Sequence, residues 1–147
     1  MYPDCDEILK MAPDYDIIPV CREIYADVIT SITLLRKLAA VSKRYYLLES
    51  VEGGEKWGRY SFLGFDPVMR VKCSCGKVTI EKDGEETEKV ADKPLEVLRE
   101  ILKDYKAPRL EGLPPFAGGF VGYFAYAMIG YAEPKLNIKK GTFNDYD

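Results

Sequence analysis

The chain of 147 residues contains no histidine, and this absence restricts the chemistry that it can perform. Histidine is the side chain most often used as a general acid or base near neutral pH, and it is a frequent metal ligand. Catalysis would have to depend on carboxylates, lysine, tyrosine or cysteine. We therefore do not expect the chain to be an enzyme by itself.

Cysteine is scarce, and only Cys73 and Cys75 are close together among the four in the sequence. One intervening residue fits zinc-ligand spacing poorly, so no metal site is predicted. Residues 1–10 are acidic where a signal peptide would be basic and then apolar, and no apolar run is long enough to span a membrane. These absences predict a cytoplasmic protein without a disulfide framework.

The sequence also lacks a basic stripe and any low-complexity tract. It is 47% hydrophobic and 31% charged, with a net charge of -3, and its lysines and arginines are scattered among acidic residues. This composition is typical of a folded globular domain. Nucleic acid is an unexpected partner, because nothing in the chain would neutralise a row of phosphates.

Apolar residues recur at helical spacing in three segments. A short helix is predicted over Cys5–Met11, before Pro13. A second runs to Ala40 from a cap at Thr30 or Ser31. The clearest amphipathic pattern follows Asp92, the predicted cap, and Pro94 in the first turn. Its apolar stripe consists of Leu95, Leu98, Ile101, Leu102 and Tyr105.

The remaining regular segments have the composition of strands, separated by glycine-containing turn signals. Gly53-Gly54 indicates one hairpin, and Cys75-Gly76 and Asp83-Gly84 indicate two more. Mostly antiparallel sheet with a few covering helices is an α+β fold. The predicted strands are residues 16–26, 44–52, 59–63, 68–73, 77–81, 86–90 and 118–126.

Two stretches carry a resemblance to a known family. Residues 47–64, LLESVEGGEKWGRYSFLG, resemble a motif near the start of anthranilate synthase component I. Residues 115–126, PFAGGFVGYFAY, resemble a second motif of the same amino-terminal region, shared more loosely with aminodeoxychorismate synthase. With the Ile18-Pro19-Val20 segment, the likeness spans nearly the whole chain.

The resemblance implies a part of a larger enzyme subunit. In that family the large subunit converts chorismate and ammonia to anthranilate and pyruvate with Mg²⁺, and a glutamine amidotransferase subunit supplies the ammonia. The chorismate and Mg²⁺ residues lie in a carboxy-terminal catalytic domain that is absent here. Residues 1–147 would then be the regulatory, tryptophan-sensing region of an αββα sandwich, inactive alone and partnered by that catalytic domain and the amidotransferase.

The same resemblance implies an L-tryptophan site built on Leu48, Glu49 and Ser50, with Arg59 as the nearest basic residue to close it. The chemistry fits a free amino acid. Glu49 can accept from the ammonium, Ser50 can donate and accept, Arg59 can pair with the carboxylate, and Leu48 supplies apolar wall. Without the family, Glu49 and Ser50 would be read as a solvated strand end.

Strand geometry adds a constraint to this site. Neighbouring residues of a regular strand point to opposite faces, so Glu49 and Ser50 cannot both enter one pocket from such a strand. Either a bulge or strand end lies there, or one of them contributes through its backbone. For Trp57, in the adjoining loop, we expect a side chain that packs into the hydrophobic core and does not stack on a ligand.

Two other functions stay open at this point. The chain departs from the family after the second motif, where Ala127 and Gly130 replace an aspartate and a basic residue. If those charges pair with the catalytic part or the amidotransferase in the family, this chain would dock less well or come from a divergent branch. One alternative is the equivalent region of aminodeoxychorismate synthase; the other is a scaffold fragment that binds no ligand and associates through exposed sheet edges.

Overall fold

A computed structural model of the chain describes residues 1–49, 60–114, 116–133 and 135–136. Its α+β architecture, with antiparallel sheets, confirms the predicted fold class. The chain divides into two compact units, one of residues 1–23, 71–81 and 86–147 and the other of residues 24–70 and 82–85. The helices and strands are α1 (Cys5–Met11), α2 (Ser31–Val41), β1 (Tyr45–Leu48), β2 (Phe62–Phe65), β3 (Met69–Ser74), β4 (Lys77–Lys82), β5 (Glu85–Val90), α3 (Pro94–Lys103), a 3₁₀ turn (Tyr126–Met128) and α4 (Ile129–Ala132).

The second unit contains α2 and the β1–β2 hairpin. Thr30 is the N-cap of α2, because its side-chain oxygen accepts a hydrogen bond from the backbone N–H of Thr33 at 3.2 Å. β1 and β2 are antiparallel, with Tyr45 opposite Phe65 and Leu48 opposite Phe62. The antiparallel pairing of the first predicted hairpin is therefore confirmed, but β1 ends at Leu48 and β2 runs from Phe62 to Phe65, so the predicted bounds of 44–52 and 59–63 are wrong. The Gly53-Gly54 turn lies outside the described residues.

A buried serine links the two strands at the end of this hairpin that is farthest from the connecting loop. Ser42 is only 5% exposed and follows directly after α2. Its hydroxyl lies 2.5 Å from Asp66 Oδ1 and 2.9 Å from the carbonyl oxygen of Arg44, and it accepts from the Arg44 N–H at 3.1 Å. A hydroxyl has one proton, so the shorter contact to the Asp66 carboxylate is the stronger bond.

The middle of the hairpin has a close contact between an aromatic ring and a glycine. Tyr46 is opposite Gly64, and a Cβ on Gly64 would lie 2.3 Å from Tyr46 Cε1. The ring of Tyr46 therefore occupies the space that any other residue at position 64 would need. Glycine at this position allows the tyrosine to lie across the neighbouring strand.

The first unit contains most of the three-stranded meander, in the order β3-β4-β5. Its two hairpin loops are Cys75-Gly76 and Asp83-Gly84, and all four residues have positive φ, between 53° and 82°. Positive φ at both central residues is what a type I′ turn requires, so the predicted turns are confirmed. Lys77 and Glu88 form an exposed ion pair at 2.6 Å.

The two longer helices of the first unit confirm the helical predictions, with one correction. Asp4 and Glu7 form a reciprocal capping box that starts α1. Pro94 occupies the first turn of α3, as predicted, but the N-cap is Lys93 and no side chain caps the helix. The predicted Asp92 cap is wrong. Val97, which the sequence pattern did not include, is the buried residue of this helix together with Pro94.

The predicted strand at residues 16–26 is also wrong. Among the described residues it pairs through a single bridge, between Cys21 and Tyr2, with backbone hydrogen bonds of 2.7 and 2.9 Å. Pro19 has no N–H to contribute to a ladder. Instead, Asp16 accepts from the Lys106 N–H at 2.9 Å through its side chain, and its own N–H donates to the Lys106 carbonyl at 2.9 Å.

The glycine-rich strand predicted at residues 118–126 is not formed either. Within the described ranges no strand pairs with this segment, so its β-prone composition has no ladder to enter. Several of its large apolar side chains are exposed, among them Tyr123 at 72% and Phe124 at 65%. The following Tyr126–Met128 turn and α4 were not predicted.

Few apolar side chains are buried in the described part of the chain. Val78 in β4 and Val97 in α3 are buried there, together with Pro3 and Pro94. Many of the other apolar side chains are partly or largely exposed. Across the residues described, no helix is both long and apolar enough to cross a membrane.

Candidate functional site

Two of the four predicted tryptophan-site residues lie at the loop end of the β1–β2 hairpin. Leu48 is the last residue of β1, and Glu49 follows it immediately. Ser50 and Arg59 lie outside the described residues. The structure therefore locates the acidic and the apolar candidates, and the roles given to all four residues stay predictions.

The end of β1 answers part of the geometric question that the sequence raised. Regular strand structure stops at Leu48, so Glu49 is not held to the alternation of side chains along β1. A strand end was one of the alternatives that would let neighbouring residues share a pocket. The backbone at Glu49 is consistent with that alternative.

Leu48, the residue before Glu49, belongs to an apolar face of the hairpin. Leu48, 49% exposed, is directly opposite Phe62, and directly opposite residues of an antiparallel pair share a face. The ring of Tyr60 is tilted by 35° against that of Phe62, with centroids 6.0 Å apart. We call Leu48, Tyr60 and Phe62 the hairpin wall.

The sequence reasoning missed Tyr60 and Phe62 as site residues. Both fall inside the motif at residues 47–64, and their i, i+2 spacing places them on one face of an extended chain. Leu48 was already a candidate, so knowing that it pairs with Phe62 in the hairpin would have identified Phe62, and the i, i+2 spacing would then have identified Tyr60. Register depends on the length and shape of the connecting loop, which the pattern of residues does not give.

A second missed residue contacts Glu49 directly. The hydroxyl of Ser31 donates a hydrogen bond to Glu49 Oε1. Ser31 is the first residue of α2, so the bond joins the start of that helix to the end of β1, 18 positions further along the chain. This bond fixes the carboxylate relative to the start of α2.

The arrangement offers a carboxylate at the end of β1 and partly exposed apolar side chains on the hairpin. A carboxylate next to aliphatic and aromatic surface suits an ammonium group carried on an apolar body. Among the described residues no group of three or more acidic or cysteine side chains is placed to hold a metal ion. All four cysteines are free thiols.

A surface groove of about 580 Å³ lies elsewhere, in the first unit. It is open, and none of the predicted site residues lines it. The lining alternates acidic and apolar side chains without a convergent set of polar groups, so it does not compete with the hairpin end as a ligand site. The lining residues are Met1, Tyr2, Cys21, Glu23, Glu111, Gly112 and Leu113.

Comparison with curated proteins shows that the chain is similar to one enzyme subunit, anthranilate synthase component 1. It is 44% identical over 138 residues, 93% of its length, to anthranilate synthase component 1 of Acetivibrio thermocellus. It is 43% identical over 134 residues to that of Pseudomonas aeruginosa and 35% identical over 144 residues, 97% of its length, to that of Aquifex aeolicus. These matches confirm the resemblance to the amino-terminal region of anthranilate synthase component 1.

The homology covers only part of each relative. The chain spans 28% of the Acetivibrio thermocellus subunit, 27% of the Pseudomonas aeruginosa subunit and 29% of the Aquifex aeolicus subunit. No family model matches the chain. No solved structure matches it.

Proposed function

We propose that this chain contributes the feedback-inhibitory L-tryptophan site of an anthranilate synthase large subunit and does not catalyse the reaction itself. The whole subunit would make anthranilate from chorismate, with ammonia from a glutamine amidotransferase and with Mg²⁺ held outside this chain. The observation that carries the proposal is the position of Glu49 at the hairpin end, where its carboxylate accepts from Ser31 and where it directly follows the half-exposed Leu48, the residue paired with Phe62.

Each part of tryptophan has a counterpart in this arrangement. The indole is the largest apolar part of the ligand, and the hairpin wall of Leu48, Tyr60 and Phe62 offers aliphatic and aromatic surface to it. The ammonium would be accepted by Glu49. The carboxylate would be taken by Ser50 and Arg59, the two candidates outside the described residues.

The rest of the site would come from the other part of the subunit. An exposed hairpin end encloses a ligand on one side only, whereas pockets for small molecules surround most of the ligand's surface. The relatives are more than three times as long as the segment that the chain matches. The catalytic domain would therefore cover the hairpin end and complete the pocket, and the amidotransferase subunit would bind the assembled enzyme.

Calorimetry with L-tryptophan tests the binding proposal. The titration is carried out with this chain alone and with the chain mixed with the remaining part of the Acetivibrio thermocellus subunit. Heat that saturates at micromolar tryptophan, and disappears in Ser50→Ala, supports the proposal; D-tryptophan serves as the matched ligand control. Saturation only in the mixture would show that the pocket needs both parts, and silence in both samples would contradict a tryptophan site.

The proposed lack of activity has a separate test. Chorismate, Mg²⁺ and ammonium are supplied to this chain alone, and anthranilate is followed by its fluorescence. No signal is expected, because the residues that bind chorismate lie outside the chain. Fluorescence that grows with the concentration of the chain would overturn the proposal.

A scaffold role is the second candidate, and one observation favours it. The apolar side chains of the segment around Phe120 and Tyr123 are exposed, as in surfaces that pack against another protein. A scaffold that binds no ligand would be silent in calorimetry and would still associate with the rest of the subunit in sedimentation experiments.

The relatives named above all carry the anthranilate synthase name, which favours that branch over aminodeoxychorismate synthase.

A further inference from the structure

The first residue of α2 makes a contact with the end of β1. Ser31 donates through its hydroxyl to Glu49 Oε1, 18 positions further along the chain. Capping of the first-turn N–H groups requires an acceptor and is done by Thr30, so this donor bond is not a helix cap. The direction of this bond therefore needs another explanation.

The helix does not need Ser31 as a cap. Thr30 already accepts from the Thr33 N–H at 3.2 Å, and its carbonyl accepts from the Leu34 N–H at 3.0 Å. Alanine has a higher helix propensity than serine, so loss of the Ser31 hydroxyl would not weaken α2 as a helix. The hydroxyl is available for a role outside the helix.

We infer that Ser31 is a positioning residue that holds the Glu49 carboxylate in the orientation needed to receive the ammonium of the bound amino acid. This inference rests on the proposed tryptophan site. A carboxylate has two oxygens with about four acceptor positions, so the single bond from Ser31 to Oε1 leaves acceptor capacity for an ammonium.

The expected advantage is a lower entropic cost of binding. Glu49 is exposed, and a free glutamate side chain would have to be fixed when the ligand binds. Ser31 fixes it beforehand, as supporting residues of preorganised sites do. Fixing one side chain corresponds to a change of about threefold to tenfold in affinity.

A purely structural bond is the rival explanation. A carboxylate near the first turn of a helix is favoured by the partial positive charge there, with no ligand involved. In that case Ser31→Ala would alter the unfolding midpoint and leave the tryptophan affinity unchanged. The two explanations therefore differ in which measurement responds.

The experiment compares L-tryptophan affinity in the wild type, Ser31→Ala, Ser31→Thr and the control Ser61→Ala, using whichever sample binds tryptophan in calorimetry. We expect an affinity about threefold to tenfold weaker in Ser31→Ala, recovery in Ser31→Thr because the hydroxyl is kept, and no change in Ser61→Ala. Urea unfolding checks that the variants are folded. Millimolar tryptophan should stabilise the protein against urea unfolding to the same extent in Glu49→Ala and in the double variant Glu49→Ala/Ser31→Ala.

The outcomes separate this inference from the proposed function. If the wild type binds tryptophan and Ser31→Ala binds it equally well, the positioning role is wrong and the site stands. An equal loss from Ser31→Ala with and without Glu49 would also overturn the inference, because the serine would then act independently of the glutamate. A wild type that does not bind tryptophan in either sample overturns the proposed function and the inference with it.

Discussion

The two ends of the β1–β2 hairpin differ in how their polar groups are used. At the end away from the loop, Ser42 is 5% exposed and makes hydrogen bonds with Arg44 and Asp66. At the loop end, Leu48 is 49% exposed, and Glu49 has an exposed hydrogen bond to Ser31. The first end satisfies its groups internally, whereas the second presents them to solvent.

If the proposed function holds, this difference separates stability from binding within one pair of short strands. Buried, fully bonded groups contribute to folding because leaving a partner unsatisfied is costly. Exposed polar and apolar groups contribute little to folding and are available to a ligand. Substitutions along the hairpin should therefore lose stability at one end and tryptophan affinity at the other.

The largest loss of stability is expected from Ser42→Ala. The change removes a bond to the Asp66 carboxylate and leaves the Arg44 N–H without its hydroxyl acceptor, at a cost of about 2 kcal/mol. Urea unfolding followed by circular dichroism measures it. Ser61→Ala, at an exposed position, should change the free energy of unfolding by less than about 0.5 kcal/mol. Equal urea midpoints for the two variants would show that the Ser42 hydrogen bonds do not stabilise the hairpin.

Gly64→Ala should have the next largest effect, about 1–2 kcal/mol, because the added Cβ would displace the Tyr46 ring from the position 2.3 Å away. The same unfolding measurement applies. Gly122→Ala is the matched control, since a Cβ there meets nothing within 4 Å. The penalty should vanish in a Tyr46→Ala background; a penalty that persists would point to the backbone instead of the ring.

Leu48→Ala should destabilise by about 1 kcal/mol, because a side chain that is half exposed loses only part of the burial energy of a core leucine. Its tryptophan affinity should fall, since the hairpin wall loses most of its aliphatic surface. Val41→Ala, at a position 80% exposed, is the control for both measurements. Unaltered tryptophan affinity in Leu48→Ala would remove Leu48 from the site.

Glu49→Gln should have the smallest effect on folding, within about 0.5 kcal/mol, because its hydrogen bond lies at the surface. Its effect on binding should be large. Tryptophan affinity should be at least about tenfold weaker, since a neutral amide replaces the charged acceptor of the ammonium. Glu100→Gln, on the exposed side of α3, is the control. A Glu49→Gln variant with full affinity would contradict the ammonium role.

Features that depend on neighbouring residues in the sequence were predictable. The Cys75-Gly76 and Asp83-Gly84 turns follow from residues that accept positive φ, and the start of α1 follows from the Asp4 and Glu7 pair. These signals act within a few residues, so the composition of the segment determines them.

Features that depend on a distant partner were predicted less well. The segments at 16–26 and 118–126 have the composition of strands, yet a strand exists only where another pairs with it. At the site, Leu48 and Glu49 came from the family motif, whereas Phe62 required the hairpin register and Ser31 required the position of α2 against β1. Neither of these can be read from spacing along the chain.

The small number of buried apolar side chains has a calorimetric consequence. In the described part of the chain, the apolar side chains shielded almost completely from water are Val78, Val97 and the prolines Pro3 and Pro94. The heat capacity change of unfolding arises mainly from apolar surface that becomes hydrated, and is about 12–15 cal/mol/K per residue in ordinary globular domains. The isolated chain should fall below that range and show a shallow dependence of stability on temperature. Joining it to the rest of the subunit should restore the usual curvature.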